Sequence, residues 1–173
     1  MIETDRLILR RFEERDRAPL HAMWADPRVM ADLGPVKSAA DSDAALARHA
    51  SYDPLGFFVV ERCEDGATIG FCGLKPGAPD TPIANMLEVG WMLAVPWWGG
   101  GYAREAAAAS IAWGWATCGD AAIVAITARR NARSRGLMER LGMRHIPAMD
   151  FTHPLFAPDD PLSDTVTYRI ERP

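Results

Sequence analysis

Three cysteines in 173 residues are too few, and an odd number, to form a disulfide framework. Cys63, Cys72 and Cys118 lack metal-ligand spacing, so buried or inert thiols are expected. The four histidines, His21, His49, His145 and His153, form no ligand cluster, and no metal is predicted. No run of 18 apolar residues exists, and the opening Met1-Ile2-Glu3-Thr4-Asp5-Arg6 has no apolar signal core. A cytoplasmic chain without a membrane partner is therefore expected. A net charge of -4 argues against nucleic acid as a partner. Low-complexity segments and internal repeats are also missing. With 49% apolar and 24% charged residues, the composition is that of one globular domain spanning 1–173, large enough to bury a core without staples.

The most informative segment is Trp98-Gly99-Gly100-Gly101-Tyr102-Ala103-Arg104-Glu105-Ala106. Upstream, residues 87–95 read as a strand closed by Pro96; downstream, alanine-rich residues 102–118 read as a helix of several turns. Glycines between a strand and a helix start leave backbone N–H groups open, at the positive end of the helix dipole. Such a junction suits a phosphate or pyrophosphate. A P-loop is excluded because no lysine follows the glycines. The dinucleotide fingerprint fails too: Arg104 stands where a glycine is needed when reading from Gly99, and Ala106 when reading from Gly101. A plain tight turn opening a helix remains the alternative.

Along the rest of the chain, residues 7–10 read as a strand, 13–24 as a helix, 27–30 as a short helix and 41–49 as another helix. Residues 57–60 and 67–74 read as a hairpin turning at Asp65-Gly66. Strand 87–95, helix 102–118, strand 122–126 and helix 132–141 alternate, which implies a right-handed parallel crossover. Residues 147–161 read as loop and 165–170 as a closing strand. Hairpins first and a crossover later predict an α+β, mixed α/β fold: a twisted sheet flanked by helices.

The ordered set Glu-Val-Gly-Trp-Met-Leu (88–93), Pro-x-Trp-Gly-x-Gly-Tyr-Ala-x-Glu-Ala (96–106), Asn131-Ala132-Arg133-Ser134 and Glu139-Arg140-Leu141-Gly142-Met143 resembles the GNAT N-acetyltransferase superfamily. Thr4–Arg10, Trp24–Met30 and Val166–Ile170 match its branch of ribosomal-protein N-terminal alanine acetyltransferases, so the resemblance spans nearly the whole chain. It implies a GNAT-like acyl-CoA N-acyltransferase fold with a splayed central strand pair, acetyl-CoA as co-substrate, and an amine acceptor, either a small molecule or a protein N-terminus. A homodimer is left open.

By the same resemblance, the pyrophosphate lies on the backbone from Trp98 and Gly99 through Gly100, Gly101, Tyr102 and Ala103 to Arg104. Trp98 replaces the Gln or Arg of many members, as is usual in this branch. Backbone groups near Leu93 and Val95 pair with the pantetheine amides, and one N–H there stabilises the oxyanion. Glu88 matches a carboxylate that collects the amine's proton, often through water. It shares a strand face with the small residues Gly90 and Ala94, which would leave room for that water. A solvated strand-end charge or an ion-pair partner is the other reading of Glu88. Asn131 is implied to bind the coenzyme arm and Ser134 the leaving thiol, while helix N-cap and first-turn residue are the alternatives. Trp24 and Met30 are implied to shape the acceptor pocket. Trp91, Trp97, Trp113 and Trp115 are read as core or wall, and Tyr168 as core. The predicted activity is direct attack of an amine on the thioester in a ternary complex. A catalytically silent acyl-CoA-binding module, and an acyltransferase using longer acyl groups or alcohols, are the rivals. The acidic balance weakly favours a cationic acceptor.

Overall fold

A computed structural model describes residues 1–173. Nine strands form one sheet, in the order β1 (Ile2–Glu3), β2 (Leu7–Arg10), β3 (Gly56–Arg62), β4 (Thr68–Pro76), β5 (Leu87–Leu93), β6 (Ala122–Ala128), β9 (Asp164–Glu171) and β7 (Arg144–His145), with β8 (Phe151–Thr152) also on β9. Five helices accompany it: α1 (Arg17–Ala25), α2 (Pro27–Met30), α3 (Ala39–Ala50), α4 (Tyr102–Thr117) and α5 (Ala132–Arg140). All sheet pairs are antiparallel except β5 with β6, as the predicted crossover requires. No helix is long and apolar enough to cross a membrane.

Side-chain alternation along the strands divides the core in two. Leu9, Phe58, Val60, Cys72, Leu74 and Val89 form one buried cluster with Ala106, Ala107 and Ile111 of α4. Glycine and alanine on α4 let it lie close to the sheet: a Cβ on Gly114 would stand 2.5 Å from Leu74 Cδ1. On the other face, Val59 and Phe71 pack with Leu20, Met23 and Trp24 of α1, Val29 and Met30 of α2, and Ala45 and Leu46 of α3. Arg10 clamps the start of α1 by donating to both oxygens of the fully buried Asp16, at 2.7 and 2.9 Å.

Several element boundaries depart from the sequence reading. The helix expected over 13–24 begins with a separate 3-10 turn, Glu14–Asp16, and α1 proper runs Arg17–Ala25. Asp16 turns its carboxylate back to accept from Glu13 N–H (2.8 Å), a capping-box bond that closes the start of that turn. The strand expected over 87–95 stops at Leu93, because Pro96 has no N–H for the ladder and Val95–Trp97 turns as a 3-10 helix. The loop expected over 147–161 contains a 3-10 turn and β8. Two-residue strands such as β1, β7 and β8 are too short to show a period.

The consequential feature is the β5–β6 pair. Its parallel pairing covers only Leu87 with Ile123 and Glu88 with Val124, after which the strands part. Met92 pairs with β4, so the N–H and C=O groups of Trp91 and Leu93 face the gap. This is the splayed pair that the resemblance implied.

Candidate active site

The loop from Gly99 into α4 lies at the open end of that gap. Gly99 and Gly101 hold φ of +79° and +81°, and Gly101 caps the helix in the left-handed conformation. That conformation costs a side-chain-bearing residue about 1–2 kcal/mol. None of the N–H groups of residues 99–104 donates to an acceptor within the protein. Six consecutive unpaired donors at a helix N-terminus make an anion cradle. The cradle is braced from the N-terminus of the chain. Arg6 donates to Gly100 O (3.0 Å), pairs with Glu105 (2.6 Å) and lies over the Tyr102 ring, while Thr4 Oγ1 donates to Glu105 (2.6 Å). This Thr4–Arg6–Glu105 brace is invisible to local pattern, because its ends lie about a hundred residues apart.

A groove of about 660 Å³ runs from the cradle through the splay. Trp91, Met92, Leu93, Trp97, Trp98, Tyr102, Ala103 and Arg104 line one side, and Asn131, Arg133, Ser134, Leu137 and Arg140 the other. Val95 and Gly100 adjoin it without lining it. Trp98 Nε1–H donates to Leu93 O (2.8 Å), and the Arg133 guanidinium lies 4.0 Å above the Trp98 ring. One carbonyl expected to meet pantetheine thus already carries an indole.

On the opposite face of the sheet a second chamber, about 220 Å³, is walled by Trp24, Phe57, Phe71, Trp91, His49 and Glu88. Leu33, Trp91, Met92 and Ser134 line both cavities, so the two meet where the strands part. Ser134 Oγ has no hydrogen-bond partner in the protein. Asn131 is the N-cap of α5: its Oδ1 accepts from Ser134 N–H (3.1 Å) and its Nδ2 donates to Thr127 Oγ1 (3.0 Å). Its cap role is therefore explicit, and it still faces the groove. Met30 is buried in the core between α1 and α3 and lines neither cavity; Val29 and Leu33 reach the groove instead.

Glu88 is only 6% exposed and so is no solvated strand-end charge. It stands directly opposite Lys75 across β4–β5, and the Lys75 ammonium contacts its Oε2. Burial pushes the Glu88 carboxyl above the usual carboxylate range, against the opposing pull of Lys75. Its second oxygen has no protein partner and is not sealed off. The room expected beside Gly90 is filled: a Cβ there would meet Phe57 Cζ at 2.4 Å. Phe57 comes from β3, a strand away, which local sequence cannot reveal. His49 stacks on Phe57 at 4.3 Å and accepts from Phe57 N–H at Nδ1 (3.2 Å). That bond places the proton of the neutral ring on Nε2. Burial, then the charges of Arg48 and Lys75, hold its pKa down at about 3, so the ring is neutral near pH 7.

Cys72 is fully buried, and desolvation pushes its thiol up to about 12, which leaves no thiolate for covalent transfer. Tyr168 is core, as read, with its hydroxyl donating to Glu139 (3.2 Å).

The acetyltransferase (GNAT) domain family matches residues 6–144. An uncharacterised protein of Bacillus subtilis, YkkB, is 29% identical over 146 residues, which is 82% of this chain and 84% of the relative. A crystal structure of an acetyltransferase from Agrobacterium tumefaciens superposes with a TM-score of 0.79 at 25% identity, over 99% of this chain and 94% of that one. Two more distant structures share the fold: a Vibrio cholerae spermidine N-acetyltransferase with CoA and spermine (TM-score 0.76, 19% identity, 97% of this chain and 96% of that one) and a Vibrio fischeri ribosomal-protein-S5-alanine acetyltransferase (0.73, 18%, 98% and 94%). With the family match covering most of the chain, this protein belongs to the GNAT acetyltransferase family.

Proposed function

We propose that this protein transfers the acetyl group of acetyl-CoA to a primary amine by direct attack within a ternary complex. The observation that carries the reading is the meeting of two cavities at the splay. One begins at an anion cradle, the other holds a buried carboxylate, and the two open on one another beside Ser134. Pyrophosphate fits the donors of residues 99–104, and the pantetheine arm fits the gap beside Trp91 and Leu93. The acceptor enters from the opposite face, where the chamber offers Glu88.

The chemistry assigns each group a task. An alkylammonium must lose a proton before its nitrogen can attack, and a base with raised pKa serves this near neutrality. Glu88 takes that proton through water, and the free nitrogen bonds to the thioester carbonyl carbon. Negative charge then gathers on the carbonyl oxygen, where an N–H of the open β5 edge meets it. As the C–S bond breaks, the nitrogen releases its second proton to water, and the thiolate leaves toward Ser134, whose free hydroxyl donates a hydrogen bond to it. The inert Cys72 fits a mechanism without an acyl-enzyme. The neighbour from Vibrio cholerae is named for an amine substrate, which favours nitrogen over oxygen as the attacking atom.

Thiol release with acetyl-CoA, measured against a panel of amines and the matching alcohols, tests this. We expect turnover with at least one amine class, little with the alcohols, and a steep loss as the acyl chain lengthens. Tight acetyl-CoA binding with no turnover would make the protein a binding module.

A further inference from the structure

The chain contains only two lysines, Lys37 and Lys75; every other basic residue among the 19 is arginine. Both lysines line the acceptor chamber, and Arg48 joins them. Among the lining residues Glu88 is the sole carboxylate, and it is committed to Lys75. Neither Lys37 nor Arg48 has a carboxylate within 4.0 Å. Asp41 feels the Lys37 charge from a distance, but its carboxylate is held in the N-cap of α3, where it accepts from the Ser38 hydroxyl (2.6 Å). With His49 neutral, Lys37 and Arg48 remain without an ion-pair partner in a chamber of about 220 Å³.

The arrangement is polar along one direction. Glu88 sits inside, on β5 near the junction with the groove, where an amine must arrive. Lys37 is half-buried on the segment after α2, held by its N–H to Trp24 O (3.0 Å), and Arg48 is exposed on the last turn of α3. Both therefore stand nearer the mouth. Trp24 and Phe57, each packed edge-to-face on Phe71, give the chamber an apolar wall. A polyamine would place a second ammonium against Lys37 and Arg48, and like charges at close range in a partly desolvated space repel.

On the reading of this site as an amine acetyltransferase, we infer that its acceptor is a small amine carrying an oxyanion, a carboxylate or a phosphate, with the amine toward Glu88 and the oxyanion bound by Lys37 and Arg48. The chamber is smaller than the usual drug-sized pocket of roughly 300–1,000 Å³, which fits an amino acid or an aminoalkyl phosphate. It also reverses the weak expectation of a cationic acceptor drawn from net charge, since the chamber's own sign opposes that of the chain.

Matched acceptors test this: an amino acid, its carboxamide, the diamine with the carboxylate replaced by an amine, an aminoalkyl phosphate, spermidine and a tripeptide amide. We expect kcat/KM for the amino acid or the aminoalkyl phosphate to exceed that for the carboxamide and the diamine at least tenfold, and the comparison of those two identifies the oxyanion. In Lys37→Met and Arg48→Met the ratio of carboxylate to carboxamide should collapse through KM. Preference for the diamine, spermidine or the tripeptide amide would overturn the inference, as would an unchanged ratio in both variants. If no amine turns over, quenching of Trp24 and Trp91 fluorescence still decides it. Saturable quenching by the amino acid or aminoalkyl phosphate, weakened by Lys37→Met, upholds the oxyanion site while the transferase reading fails; equal response to the diamine overturns both.

Discussion

The two ends of the site are built from different materials. The end proposed for the coenzyme is backbone: six unpaired N–H groups, two left-handed glycines and a helix terminus within residues 99–104. The end proposed for the acceptor is side chain: Trp24, Lys37, Arg48, His49, Phe57, Lys75 and Glu88 arrive from α1, the segment after α2, α3, β3, β4 and β5. A backbone site recognises a feature common to all users of one coenzyme, whereas a side-chain site can change its preference by single substitutions. The first should therefore be broken by altering conformation, the second by altering charge.

The largest effect is expected at Glu88. Glu88→Gln keeps the shape and an acceptor for Lys75 but removes the base, and positioned bases contribute about 10²–10⁴-fold. We expect kcat to fall about 100-fold at pH 7 and to recover in part at high pH, where free amine is abundant. Because the Glu88 pKa is raised, the acid limb of the parent's kcat/KM profile should inflect above the ordinary carboxylate value, and that inflection should vanish in the variant. Superimposable profiles would remove Glu88 from the mechanism.

Gly101→Val attacks the backbone end. A β-branched residue at φ +81° carries strain of about 1–3 kcal/mol, so calorimetry should show acetyl-CoA bound roughly ten- to a hundredfold more weakly by the folded variant. Amino-acid quenching of Trp24 should be far less affected. Loss of both would mean that the two ends do not separate as described.

Ser134→Ala and Asn131→Ala sharpen the junction. The first removes a hydroxyl with no structural partner, so kcat should drop about tenfold with little change in acetyl-CoA affinity or melting temperature. The second removes a cap, worth about 1 kcal/mol, so thermal stability should fall. If instead Ser134→Ala melts early and keeps its turnover, the hydroxyl is structural.

An effect on stability alone, with none on turnover near neutral pH, concerns His49. Its pKa is about 3 in the folded protein and near 6.5 when unfolded. The unfolded chain thus binds more protons between those values. The stability His49 contributes is complete above pH 6.5 and is lost as pH falls toward 3. Denaturant midpoints at pH 7.5 and 4.5 should show this loss, and His49→Gln should reduce the difference. An unchanged pH dependence would mean that the ring is protonated within the fold beside Arg48 and Lys75.

Legibility in the sequence followed the range of the interactions. Helix α4, its glycine cap and the strand before it were readable because capping, proline and period act within a few residues. The Glu88–Lys75 pair was not, since the cross-strand register that joins them is set around a ten-residue connection between β4 and β5. The Gly90 expectation failed for a related reason: the small residue was visible, but the Phe57 ring that fills its space comes from another strand. Met30, expected at the acceptor pocket, is taken up instead by the core between α1 and α3.

The sequence by itself determined the longer helices and strands, the crossover and the unpaired donors at the head of α4, because backbone geometry and local hydrogen bonding require only neighbours along the chain. Tertiary structure alone decided the burial of Glu88 beside Lys75, the neutrality of His49 and the cationic mouth made by Lys37 and Arg48. Desolvation and Coulomb energies depend on distances between segments that the fold brings together, and one sequence without its fold carries no record of those distances.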